Sequence, residues 1–341
     1  MTTTVIPPIS PPDFHRLSRL AQPTRWWRPL LVLLTASALF LALLVAPMLA
    51  LIIIADLHPS IEPAVDQVLN FESVNNPTGL TVGLLMIILM LPASLLAVRL
   101  VGRRRAGTVV SVTGRLRWRL LGRASAITAV VLGVFTGVLL LVEPATGAAS
   151  DGAAPDGSAG RLALMLVIVV LLVPWQAAAE EIVFRGLLAQ TVGSWLRHPA
   201  WAILLPLPLF VFGHDYSLAG MLDVAVFAAV AGYLTWRTGG LEAAIGMHVV
   251  NNLGAFAIAL FTGADLDATE VAPLAALISI AYTLVTAALI LSPVAQPRRS
   301  ASQRATTKGQ QLLPVGFAPP QHDADQHGDL NDRGDAVTDH P

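Results

Sequence analysis

Eight stretches of this chain are too long and too apolar for the surface or core of an ordinary soluble domain. A helix crosses the hydrocarbon of a bilayer with about 20 mostly apolar residues. Runs of that kind fall at roughly 30–55, 80–100, 124–143, 161–188, 200–217, 219–236, 240–262 and 271–293. In hydrocarbon the backbone N–H and C=O groups find partners only within the protein, so runs of this pattern must be helical. Composition agrees, because 13% of the 341 residues are charged, against about 25% in soluble domains. The expected fold is all-α, a polytopic membrane helix bundle of about eight transmembrane helices. The fifth run carries Pro206 and Pro208 and is expected to kink.

Loop charge is independent of hydropathy and supports the same count. Arg16, Arg19, Arg25 and Arg28 precede the first run, and the loop after it holds Asp56, Glu62, Asp66 and Glu72. The second loop is arginine-rich, with Arg103, Arg104, Arg105, Arg115, Arg117, Arg119 and Arg123. Further along, Glu143, Asp151 and Asp156, then Arg197, then Arg237, then Asp265, Asp267 and Glu270, then Arg298 and Arg299 keep the alternation. Positive loops stay in the cytoplasm, so both termini are expected there, in a multi-pass protein of the cell membrane. The expected divisions are a cytoplasmic segment (1–29), three helices with the arginine-rich cytoplasmic loop (30–143), a flexible external loop (144–160), a membrane core (161–293) and a disordered cytoplasmic tail (294–341). The first run is much longer than the apolar part of a signal peptide and is read as a retained anchor.

Several chemistries are excluded by what the sequence lacks. There is no cysteine, hence no disulfide, thiolate site or cysteine nucleophile. A net charge of −1 offers no basic excess for nucleic acid. No His-Glu-x-x-His zinc helix, no phosphate-cradling glycine loop and no Gly-x-Gly-Asp occurs. Ser158 sits in a soluble-looking loop without a partner histidine, and Asp223 reads as a lone interfacial acid. His322, His327 and His340 are scattered along the tail.

What remains is a small polar set within apolar helices, where ionisable groups are expensive and mark function. Residues 180–186 read Glu-Glu-Ile-Val-Phe-Arg-Gly. Glu180 and Glu181 differ by about 100° around a helix, whereas Glu181 and Arg185 share a face. Glu181 is expected to neutralise Arg185, leaving Glu180 to face a cavity. Phe210 and His214 share a four-residue spacing, as do His248 and Asn252, while Asn251 is expected to point elsewhere. An acid, two imidazoles and an amide from three helices are the parts of a hydrolytic site. Glu180 with His214 can hold a water and take its proton, and His248 with Asn252 can donate to the oxyanion. The same charges also serve as a structural network between helices.

Glu180-Glu181-x-x-Phe184-Arg185-Gly186, Phe210-x-x-x-His214 and His248-x-x-x-Asn252, in that order and on separate helices, resemble the three-motif signature of the CPBP family. This is the group of type II CAAX prenyl proteases and bacteriocin-processing (Abi) membrane peptidases. The resemblance covers roughly residues 160–262. It implies an eight-helix intramembrane peptidase opening toward the cytoplasm. Glu180 and His214 would activate water, His248 and Asn252 would stabilise the oxyanion, and Glu181, Arg185 and Phe210 would support the site. The implied substrate is a membrane-associated, prenylated or leader-type peptide. The family is often labelled metalloprotease. Zinc, if used, would sit on Glu180, His214 and His248, but a metal-free glutamate mechanism is favoured and asparagine at the fourth position is a poor zinc ligand. No cofactor is therefore expected. The partners are a peptide or protein substrate and the bilayer, and the oligomeric state is left open. A non-enzymatic adaptor or immunity protein on the same scaffold is the main alternative, and a proton-coupled transporter a further one.

Overall fold

The computed structural model describes residues 13–20, 25–69, 73–146 and 159–292. Residues 147–158 of the expected external loop, and the expected tail, lie outside them. The described chain is helical, and seven of its helices are long and apolar enough to cross a membrane. We label the principal helices α1 (Arg28–Leu57), α2 (Pro77–Leu100), α3 (Trp118–Thr146), α4 (Ala159–Trp195), α5 (Pro199–Val211), α6 (Leu218–Thr238), α7 (Glu242–Thr262) and α8 (Pro273–Leu291). The boundaries follow local chemistry. Asn76 caps α2, its side-chain oxygen accepting the Gly79 N–H at 2.8 Å, the arrangement helix N-termini favour. Gly239 and Gly263, both left-handed with φ near 70°, end α6 and α7, a conformation that suits glycine.

The expected fifth span differs from the rest. α5 is two short turns, Pro199–Leu204 and Leu207–Val211, broken at Leu205–Pro206. Proline lacks the N–H that would continue the helix and crowds the preceding turn. The segment nevertheless joins opposite ends of the bundle. At one end, the Arg197 carbonyl meets His15 Nε2 at 3.0 Å, Ser18 donates to the Gln190 carbonyl and Val112 donates to the Gly239 carbonyl. At the other, the Ser217 N–H donates to the Thr269 carbonyl at 2.9 Å, while Asn75 receives the Leu266 N–H and Arg161 donates to the Asn75 carbonyl. The arginine-rich loops gather at the first end and the acidic 265–270 loop at the second.

Two parts of the arginine-rich end are more ordered than their charge implies. Phe14–Leu20, within the expected cytoplasmic segment, forms a 3-10 helix whose Phe14, His15 and Leu17 are buried. It lies so close to α4 that a side chain at Gly193 would strike the His15 backbone. α4 has 37 residues, about 55 Å at 1.5 Å per residue, so its last turns outrun the hydrocarbon and are clad by this segment.

The loop before α3 also docks. Arg117 grips the fully buried Glu242 at the start of α7, Nε to Oε1 at 2.8 Å and Nη2 to Oε2 at 2.7 Å, and its Nη1 donates to the Thr238 carbonyl at 2.9 Å. Such a two-pronged fit is the strong form of this contact. Arg117→Ala strands a buried carboxylate and is expected to destabilise the protein by at least about 2 kcal/mol. Thermal unfolding in detergent measures this. An unchanged midpoint would mean that Glu242 finds other partners.

Around the site, α7 packs between α3 and α4, with α5 and α6 completing the wall. Close approach needs small residues. A side chain at Gly246 would meet Ser125 Oγ at 2.9 Å, and one at Gly186 would meet Val109 Cγ1 at 2.5 Å. The glycine after Arg185 is thus a packing requirement. α1 buries little, chiefly Val32, Ala36 and Ala55, and presents Leu34, Leu41 and Ile53 outward, as suits a lipid-facing helix.

Candidate active site

The site is built on a change of helix type. α4 runs as an α-helix to Glu181, then continues as a π-helix over Ile182–Leu188. Such widened turns recur at functional sites. Arg185 still reaches back one turn, its Nη1 donating to Glu181 Oε1 at 3.0 Å. Both side chains are buried, Glu181 completely. The guanidinium carbon also stands 4.1 Å from the centre of the Phe210 ring, a cation–π contact. Phe210 is packed edge-on by Phe184 at 5.0 Å and lies 4.8 Å from the His214 ring.

Glu181 has a second partner, His248 Nδ1, at 2.8 Å from the same Oε1. A carboxylate oxygen accepts, so this nitrogen carries the proton and Nε2 faces away. Nε2 lies 3.5 Å from Glu180 Oε2, near enough for charge attraction but long for a hydrogen bond. The imidazole therefore stands with one carboxylate at each nitrogen, and Phe227 packs its edge at 5.0 Å.

Glu180 turns the other way from Glu181. Its Oε1 accepts from Gln176 Nε2 at 2.8 Å, and its Oε2 is buried without a hydrogen bond. Gln176 Oε1 in turn accepts from Asn252 Nδ2 at 3.1 Å. The His214 Nδ1, in the turn just after α5, donates to the Phe210 carbonyl at 2.8 Å. That bond puts the proton on Nδ1 and leaves a lone pair on Nε2.

Glu180, His214, His248 and Asn252 line one cavity of about 580 Å³. Glu181 and Arg185 stand behind it rather than in it. Gln176, which sequence reasoning passed over, ties Glu180 to Asn252. Its signal was available, as an amide four residues before Glu180 in an otherwise apolar turn. Asn251 also lines the cavity, its Nδ2 3.3 Å from Asn252 Oδ1, rather than pointing elsewhere. Asp223, read from sequence as interfacial, lines the cavity together with Ser279. Tyr216 is a further lining group. Burial, together with the nearby Glu180 and Asp223 carboxylates, pushes its phenol above the ordinary value, so it stays a neutral hydroxyl.

The cavity lining runs from Gln176 and Glu180 through Tyr216 and Asp223 to Asp265 and Val271.

The donor set is a poor fit to a metal. Among the described residues, no three His, Asp or Glu side chains converge closely enough to hold one. Glu180, His214 and His248 thus share a wall without forming a ligand cage.

Comparison with known proteins places the class. Residues 160–254 match the family described as Type II CAAX prenyl endopeptidase Rce1-like. All nine motif residues, from Glu180 to Asn252, fall in that stretch, so the part of the chain that carries the site is similar to that family. The chain is also similar to the uncharacterized protein YyaK of Bacillus subtilis (strain 168), at 23% identity over 234 residues, 67% of this chain and 76% of that protein. That relative is consistent with the same family. No solved structure matches the chain.

Proposed function

We infer that this protein is an intramembrane endopeptidase that hydrolyses a peptide bond of a membrane-associated substrate with a glutamate-activated water. The reading rests above all on Glu180 Oε2, a buried carboxylate oxygen without a hydrogen-bond donor, on the wall of a cavity roomy enough for water and a peptide segment. Water there donates one proton toward Glu180 and is steadied by the lone pair of His214 Nε2. As its oxygen attacks the scissile carbonyl, Glu180 takes the proton. The tetrahedral oxyanion receives hydrogen bonds from His248 Nε2, when that nitrogen is protonated, and from the free N–H of Asn252. Glu180 then returns the proton to the leaving amine, and the C–N bond breaks. Glu181 holds the His248 ring by Nδ1, and Gln176 holds both Glu180 and Asn252. These two are positioning residues, as are Arg185 and Phe210. The arginine distribution supports a cell-membrane protein with both termini in the cytoplasm.

The test uses purified protein with prenylated and leader-type peptides. Asn252→Ala removes one oxyanion donor and is expected to lower kcat about 10²–10³-fold with little change in KM. A strong zinc chelator is expected to leave wild-type turnover intact. Unaltered turnover by Asn252→Ala would remove the oxyanion assignment, and loss of activity on chelation, restored by zinc, would replace the water-activation step.

A further inference from the structure

We propose that a second cavity, between the Phe14–Leu20 segment, the start of α1 and the end of α4, binds the phosphate of an anionic phospholipid. The site lies at the arginine-rich end of the bundle and is independent of peptide hydrolysis. The cavity measures about 370 Å³, the size of a small-ligand site. Arg19, Arg25, Arg28 and Arg104 stand on its wall, and no aspartate or glutamate does. The wall is drawn from stretches 14–55, 73–142 and 182–214, which contain no Asp or Glu at all. Asp13, just before the first stretch, lies near Arg16 and not on the wall. Among the described residues, none of Arg19, Arg25 and Arg104 forms an ion pair.

Arg104 is the most telling group. Its Nη1 donates to the Gln190 side-chain oxygen and to Thr108 Oγ1, the latter at 3.0 Å, and both partners are uncharged. Burial pulls its guanidinium down to about 10, so it still carries its charge at neutral pH. A half-buried cation with only neutral partners is costly, and an anion beside it offsets that cost. Arg19 donates from Nη1 to the Ser194 carbonyl at 3.2 Å, which holds the guanidinium without neutralising it. The hydroxyls of Ser18, Thr191 and Ser194 are spent on backbone carbonyls. Recognition here therefore falls to the guanidinium groups, whose fork matches two oxygens of a phosphate.

The position of the cavity favours a lipid over a free ion. Arg28 opens α1, a 30-residue apolar helix, so the cavity lies where that helix enters the membrane. Pro29 and Val32 of α1 share the wall, and Leu30, Leu31, Leu34 and Leu41 are exposed along the same helix, a track for acyl chains. Trp26 and Trp195 also line the cavity, Trp195 Nε1 donating to the Trp26 carbonyl at 2.9 Å. Tryptophan settles at the level of the headgroups. Basic pockets between membrane helices take anionic headgroups of this kind.

The test uses the purified full chain in neutral detergent, stripped of lipid. Added phosphatidylglycerol is expected to stay bound at a one-to-one ratio in native mass spectrometry and to bind at least about tenfold tighter than phosphatidylcholine. Arg25 is exposed and Arg104 half-buried. Arg25→Gln is expected to weaken phosphatidylglycerol binding about fivefold, and Arg25→Gln with Arg104→Gln at least about tenfold. Arg119, an exposed arginine away from the cavity, separates a built site from general attraction to a basic surface, and Arg119→Gln is expected to leave binding unchanged. Where an unfolding curve shows that the double variant does not fold, Arg25→Gln against Arg119→Gln decides. Equal affinity for phosphatidylcholine, wild-type binding by Arg25→Gln, or an equal loss in Arg119→Gln overturns the proposal. Inorganic phosphate at millimolar concentration is expected not to displace the lipid. Displacement would make this a site for a free anion and overturn the lipid assignment. Peptide turnover plays no part in these readouts, so failure of the endopeptidase reading leaves them standing.

Discussion

Glu180→Gln is expected to yield a folded, membrane-inserted protein with kcat lowered by at least about 10³-fold, toward the upper part of the range for loss of a general base. Glutamine fills the same volume, and its side-chain oxygen can keep the bond from Gln176 that now ends on Glu180 Oε1 at 2.8 Å. The change removes only the basic oxygen and the negative charge 3.5 Å from His248 Nε2. KM should move little, because the peptide is held by the walls of the cavity rather than by the attacking water. The measurement is turnover of a peptide substrate beside an unfolding curve in detergent, with the two midpoints agreeing within about 1 kcal/mol. Fully active Glu180→Gln would end the hydrolytic reading and leave the buried charges as helix glue. Loss of activity together with collapse of the fold would not count in its favour, so the unfolding curve is part of the test. A proton-coupled transporter predicts something else, namely pH-driven flux that Glu180→Gln abolishes in liposomes without any peptide.

The parts legible in the sequence were those set by simple periodicities. Runs of apolar residues gave the long helices, and four-residue spacings grouped Glu181 with Arg185, Phe210 with His214 and His248 with Asn252. Structure that depends on distant partners was hidden. Arg117 reads as one more cytoplasmic arginine until Glu242, which is 125 positions away, is seen beneath it. Phe14, His15 and Leu17 read as part of a cytoplasmic segment, because the surface they cover belongs to the end of α4. Gln176 was overlooked for another reason. An amide carries no charge to draw notice, yet it is the link between Glu180 and Asn252. The break in α5 was signalled by Pro206. That the broken segment still connects the two ends of the bundle appears only in the bonds of Arg197 and Ser217.

Arg185→Met is expected to destabilise the protein by about 3–5 kcal/mol, and adding Glu181→Gln is expected to restore most of the loss. Glu181 is fully buried and Arg185 is 5% exposed. Removing the guanidinium alone leaves a carboxylate in low dielectric with only the His248 N–H for company, the situation in which breaking a buried pair costs most. Methionine retains much of the length against Phe210 but gives up the cation–π contact seen at 4.1 Å. In the double variant no charge is stranded, and replacing a buried ion pair by neutral groups of similar size is often nearly neutral. Activity should not follow stability. Glutamine can still accept from His248 Nδ1, but without a negative charge behind it the ring is a weaker donor to the oxyanion. The double variant is therefore expected to unfold near the wild-type midpoint and to turn over peptide at least about tenfold more slowly. If Glu181→Gln fails to rescue Arg185→Met, the two do not act as a pair. If the rescued protein is fully active, Glu181 holds the helices together and contributes nothing to the chemistry through His248.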